Sequence, residues 1–166
     1  MKHLFIIAYI IVYIFFGKDL GYDAFSPCWK HITYNFQHAN LMHLFLNSAS
    51  FYYLFRALER FIRPWIIASA ALTSAVAASF LCIYPVPVVG SSSMVYAMIG
   101  MYFALVTAKR IRYREKTPLY VFLAGVAIFL TLSFIKPNSA GMLHLASLIT
   151  SFTVSFIIIK MFPVNR

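Results

Sequence analysis

Acidic residues are almost missing from this chain: Asp19, Asp23, Glu59 and Glu115 are the only four in 166 residues. Charged side chains of both signs make up 11% of it, too few to cover the surface of a soluble domain. The shortage of carboxylates also removes whole chemistries. An aspartyl pair needs two acids within a bundle, whereas Asp23, beside Tyr22, sits in a polar stretch. A metalloprotease site needs His-Glu-x-x-His spacing, and His38 and His43 stand five apart with no neighbouring carboxylate, so no metal is expected. Cysteine is equally scarce. Cys28 and Cys82 have no framework spacing and are read as free thiols.

What the chain has in abundance is apolar surface, with 62% hydrophobic and 18% aromatic residues and a mean hydropathy of +0.81. It reads as a membrane protein. The net charge of +10 would suit nucleic acid, but the basic residues gather at the ends of apolar runs rather than along one face. That is the pattern of membrane topology. The expected partner is therefore the lipid bilayer and not nucleic acid.

Six apolar runs are expected to form spans, at about 4–17, 41–58, 65–84, 93–108, 118–135 and 141–162. The first follows Met1-Lys2-His3 as a signal peptide would, but no small-x-small cleavage site appears in Gly17-Lys18-Asp19-Leu20, so it is read as retained. Residues 18–40 are too polar for lipid and read as a loop with some interfacial structure. Pro64 marks the turn into a third run rich in alanine and serine, which favours close helix approach in lipid. A turn is expected at Lys136-Pro137-Asn138-Ser139-Ala140, and no repeat or linker divides residues 1–166, which form one membrane domain.

Alternate sides of such a bundle hold unequal charge. With the N-terminus inside, one side carries Lys2, Arg56, Arg60, Arg63, Lys109, Arg110, Arg112, Arg114, Lys116, Lys160 and Arg166, and the other only Lys18, Lys30 and Lys136. The positive-inside rule then puts both termini in the cytoplasm. The expected fold is an all-α membrane protein of six transmembrane helices.

This topology brings scattered polar residues to one depth near the outer face: His43 and Asn47 in the second span, Ser92 at the start of the fourth, and His144 one turn into the sixth. Polar and ionisable residues inside spans are costly and mark function by default. The fourth run is also short. Its 16 residues, 93–108, give roughly 24 Å against a hydrocarbon core of about 30 Å, so Ser92 is expected to sit below the surface in a wet pocket.

A serine needs a base, and His144 is the only histidine in the last two spans, so a Ser92/His144 dyad is the economical reading. Tyr96, four residues after Ser92, shares its face and is placed to pack on the imidazole. Gly90 permits a close backbone approach. His43 and Asn47, at i and i+4, are placed to donate to an oxyanion together with the Ser92 N–H. Taken one at a time these residues have plainer roles: Gly90 and the serines as a helix cap, His144 and Tyr96 as packing, Asn47 as interhelical glue. Coincidence of depth lifts the catalytic reading above them.

The same residues resemble the rhomboid family of intramembrane serine proteases. The stretch from His38 through His43 to Asn47 is similar to that family's His-x4-His-x3-Asn, and Gly90-Ser91-Ser92-Ser93 to its Gly-x-Ser-Gly. His144 falls where the family's catalytic histidine stands, Trp29-Lys30 is similar to its first-loop Trp-Arg pair, and Glu59 to the acid ending its second span. Six spans with inside termini match the minimal bacterial core, which implies the bacterial inner membrane.

The resemblance implies Ser92 as nucleophile, His144 as general base and acid, and His43, Asn47 and the Ser92 N–H as oxyanion donors, with Tyr96, Gly90 and His38 in support. It implies no cofactor, and substrates that are single-span or other membrane proteins cut near the outer face. Three departures from the pattern involve four residues. Ser93 stands in place of the second glycine, Ser147 and Ser151 in place of a Gly-x3-Gly pair, and Lys30 in place of arginine. The alternative is a catalytically inactive relative that binds membrane helices.

Overall fold

The computed structural model describes residues 1–17, 19–112, 117–135 and 140–161. Lys18, Arg114, Glu115, Lys116, Lys136 and Arg166, the expected turn at 136–139 and the end of the sixth run at Phe162 lie outside the described residues. Seven helices run through the described part: α1 (Lys2–Phe15), α2 (Lys30–Thr33), α3 (Leu41–Leu58), α4 (Pro64–Leu81), α5 (Ser92–Thr107), α6 (Thr117–Ile135) and α7 (Gly141–Met161). By length and composition α4, α6 and α7 can each cross a membrane, while α1 and α5 are shorter apolar helices.

Local chemistry sets the ends. Asn40 adopts extended backbone and its side chain accepts from the His43 N–H at 2.8 Å, capping α3. Pro64 occupies the first position of α4, where its missing N–H costs nothing. The third run stops at Leu81, three residues before the expected Tyr84, because Cys82 turns to extended backbone ahead of Pro85. The first helix likewise ends at Phe15, and Gly17 follows with φ +62°. Between α1 and α3, the loop adds the single turn of α2 and one antiparallel bridge between Tyr22 and Val88.

α5 lies at the centre. Every residue from Ser93 to Met101 is buried, and the helix packs chiefly on α7, with α3 and α4 on its other sides. A helix apolar all round belongs in such a position. α6 is the opposite case, with no buried residue and contact mainly to α7. At the C-terminal end of α3, Lys2 pairs with Glu59 at 2.8 Å and lies over the Tyr52 ring.

The α5–α7 contact is close because Gly100 has no side chain. A Cβ there would collide with the Leu148 carbonyl and come within 2.9 Å of the Phe152 nitrogen, both backbone atoms that cannot step aside. Ser147 and Ser151 are buried along the same helix. Alanine is the better helix former by about 1 kcal/mol, yet Gly100→Ala is expected to lower stability by about 1–3 kcal/mol, because forcing α7 outward outweighs that gain. Thermal unfolding in detergent measures the difference, and an unchanged or raised midpoint would show that the helices can part freely.

Candidate active site

Three adjacent serines open α5, and each hydroxyl has a different partner. Successive residues of a helix are turned by about 100°, so neighbours face different walls. Ser91 Oγ meets His38 Nε2 at 3.3 Å. Ser92 Oγ meets His144 Nε2 at 2.8 Å. Ser93 Oγ donates to Asn35 Oδ1 at 2.9 Å and lies 2.8 Å from the Tyr34 hydroxyl. Only Ser92 faces the histidine of α7. It is the first residue of the helix rather than the last of the loop, one place earlier than the expected helix start.

His144 is buried, and the Tyr96 ring stacks on it at 4.5 Å between centroids and 18° between planes. Stacking fixes the ring plane, and the Ser92 contact fixes the edge it presents. For Nε2 to accept the Ser92 proton, Nδ1 must carry the ring's own proton. That Nδ1 is buried with no hydrogen-bond partner, so among the described residues no carboxylate stands behind the imidazole.

Gly90 and the α3 residues meet on the other side of Ser92. Gly90 has φ +122°, a conformation open to glycine, and its N–H donates to the Tyr34 carbonyl at 2.9 Å. A Cβ at Gly90 would lie 2.7 Å from His43 Cε1, 2.8 Å from His43 Nε2 and 3.3 Å from Asn47 Nδ2. His43 Nδ1 accepts, at 3.5 Å, from the Ala39 N–H, which leaves the proton on Nε2, the nitrogen turned toward Gly90. Asn47 Nδ2 is buried without a partner. A donor left unmatched as Asn47 Nδ2 is, beside a serine paired with a histidine, is what a transient anion requires.

His43, Asn47, Ser92, Tyr96 and His144 all line one cavity of about 910 Å³ that continues between α3 and α6 past Tyr53 and Phe122. His38 stands behind it. Its Nδ1 donates to the Phe36 carbonyl at 3.3 Å, so Nε2 is free to accept from Ser91.

Burial, with His43 nearby adding to it, pushes the His38 imidazole down to about 4. An unfolded histidine binds its proton near pH 6.5, so the unfolded chain protonates first. The stability contributed by neutral His38 is whole above about pH 6.5 and is lost as pH falls toward 4, by up to about 1.4 kcal/mol per unit. His31, also held low by burial, acts in the same sense. Unfolding midpoints in detergent at pH 7 and pH 5 check the slope, which a flat profile would contradict.

Lys30 bonds to Asp19 at 2.9 Å and lies over the Trp29 ring, tying the first loop to itself. Tyr34 and Asn35 carry no periodic or spacing signal, and their part in the site is visible only in three dimensions. Cys28 is exposed and Cys82 buried, both as thiols. Among the described residues no three His, Cys, Asp or Glu side chains gather as a metal group.

A search of curated proteins finds no match to the chain. The family model described as the Rhomboid domain matches residues 26–161, from the first loop through the end of α7. That match takes in all the polar side chains gathered around Ser92 together with the helices that carry them, and by it the chain belongs to the rhomboid family.

Proposed function

We propose that the chain is an intramembrane serine endopeptidase that cuts membrane-protein segments near the outer face of a bacterial inner membrane. Six of its helices, α1 and α3 to α7, serve as spans of one domain over residues 1–166, with both termini in the cytoplasm. The basic residues at the inner ends of those helices support the orientation. The observation that carries the reading is the 2.8 Å contact between Ser92 Oγ and His144 Nε2 within the cavity.

In the reaction, Ser92 Oγ attacks the scissile carbonyl while His144 Nε2 takes its proton. Negative charge then develops on the carbonyl oxygen, and Asn47 Nδ2, His43 Nε2 and the Ser92 N–H donate to it. His144 returns the proton to the leaving amine. Water, deprotonated by the same nitrogen, frees the acyl group and restores Ser92. No cofactor takes part. The gap between α3 and the loosely held α6 gives a substrate helix a lateral way to Ser92.

The family link also admits a chain that binds membrane helices without cutting them, and the two are separated by chemistry. A serine-reactive fluorophosphonate probe is expected to label the detergent-solubilised protein at Ser92, with labelling lost in Ser92→Ala. An unlabelled native chain would remove the protease reading.

A further inference from the structure

The family's Gly-x-Ser-Gly ends here in Ser93, and the serine is not idle. Ser93, Tyr34 and Asn35 are all fully buried. Asn35 Nδ2 donates to the Ile32 carbonyl at 3.2 Å, which turns Oδ1 toward Ser93. That oxygen offers only lone pairs, so the Ser93 hydroxyl must be the donor. The Tyr34 hydroxyl donates to the Ala75 carbonyl of α4 at 3.0 Å and lies 2.8 Å from Ser93 Oγ, so the two hydroxyl protons are shared among three contacts. The Tyr34 carbonyl meanwhile accepts from the Gly90 N–H. One residue of the first loop thus holds the chain two residues before Ser92 and one residue after it.

We propose that Ser93 is a positioning residue, latched through its hydroxyl to Tyr34 and Asn35 so that the first turn of α5 presents Ser92 to His144. The proposal rests on the protease reading above. None of Ser93, Tyr34 and Asn35 lines the cavity, so the latch acts on the nucleophile's aim and not on substrate contact. It also reverses what the motif suggests. Glycine at 93, the family's own residue, would leave Asn35 Oδ1 buried with no donor, and an unmatched buried acceptor is costly.

The test compares native protein with Ser93→Gly and Ser93→Ala in detergent, at a temperature where thermal unfolding shows each variant folded. Probe labelling at Ser92 is expected to slow roughly tenfold in both, and turnover of a single-span reporter to lose kcat by a similar factor with KM unchanged. Labelling or cleavage by Ser93→Gly at the native rate or faster overturns the latch, as does a loss confined to KM. If the position-93 variants do not fold, Tyr34→Phe keeps the ring and removes the hydroxyl, and a native labelling rate there overturns it equally. A native chain that does not label at Ser92 overturns the protease reading and the latch together, whereas native labelling with undiminished Ser93→Gly overturns the latch alone.

Discussion

Ser92→Ala and His144→Ala are each expected to abolish cleavage of a single-span reporter, with a loss of at least about a thousandfold, while the protein still folds. The two losses are expected to match, because the proposed nucleophile and base act as one unit. Neither removal should threaten the fold. Ser92→Ala deletes one hydrogen bond at the edge of a cavity, a change of about 1 kcal/mol; His144→Ala also removes a buried ring stacked on Tyr96 and costs more, about 2–3 kcal/mol, while α5 keeps its packing from Ser93 to Met101. Reporter cleavage in liposomes and thermal unfolding of the same samples provide the two readings. Cleavage by either variant at the native rate would sink the dyad.

Gly90→Ala is expected to lower kcat roughly a hundredfold or more and to cost about 1–3 kcal/mol of stability. Two separate causes act. The backbone at φ +122° is strained for any residue with a Cβ, which sets the stability cost. The added methyl would also lie 2.7 Å from the His43 ring and 3.3 Å from Asn47 Nδ2, so both proposed oxyanion donors must move away from Ser92. Strain alone would lower the unfolding midpoint and leave kcat intact. That outcome would show that His43 and Asn47 donate nothing to the transition state.

Much of the bundle was legible because membrane sequences punctuate themselves. α3 spans Leu41–Leu58, the range read from its apolar run, where Asn40 caps one end and basic residues close the other. The starts of α4, α6 and α7 agree to within a residue for similar reasons. Helix ends without such marks slipped: the third run reads as apolar through Cys82 and Tyr84, and only the turn to extended backbone at Cys82 stops it. In the site, Tyr96 under His144 followed from the spacing of four.

Other features depend on what lies across a helix, which spacing along one strand of sequence does not encode. Ser147 and Ser151 keep one face of α7 small, and the residue that makes room for the close approach of α5 is Gly100 on the facing helix. The roles of Ser91 and Ser93 were hidden for the same reason, since His38 and Asn35 reach them from a loop without periodicity.

The run of three serines also fixes how α5 can tolerate change along its length. Gly100 pins the lower part of the helix against Leu148 and Phe152, so one residue inserted between Ser93 and Gly100 would swing the upper turn by about 100°. Composition would survive, and the motif would still read Gly-Ser-Ser-Ser. Each hydroxyl would nonetheless face a neighbour's wall, with His144 confronting the wrong serine and Asn35 none. Between those two anchors α5 should accept many replacements of side chain and no change of length.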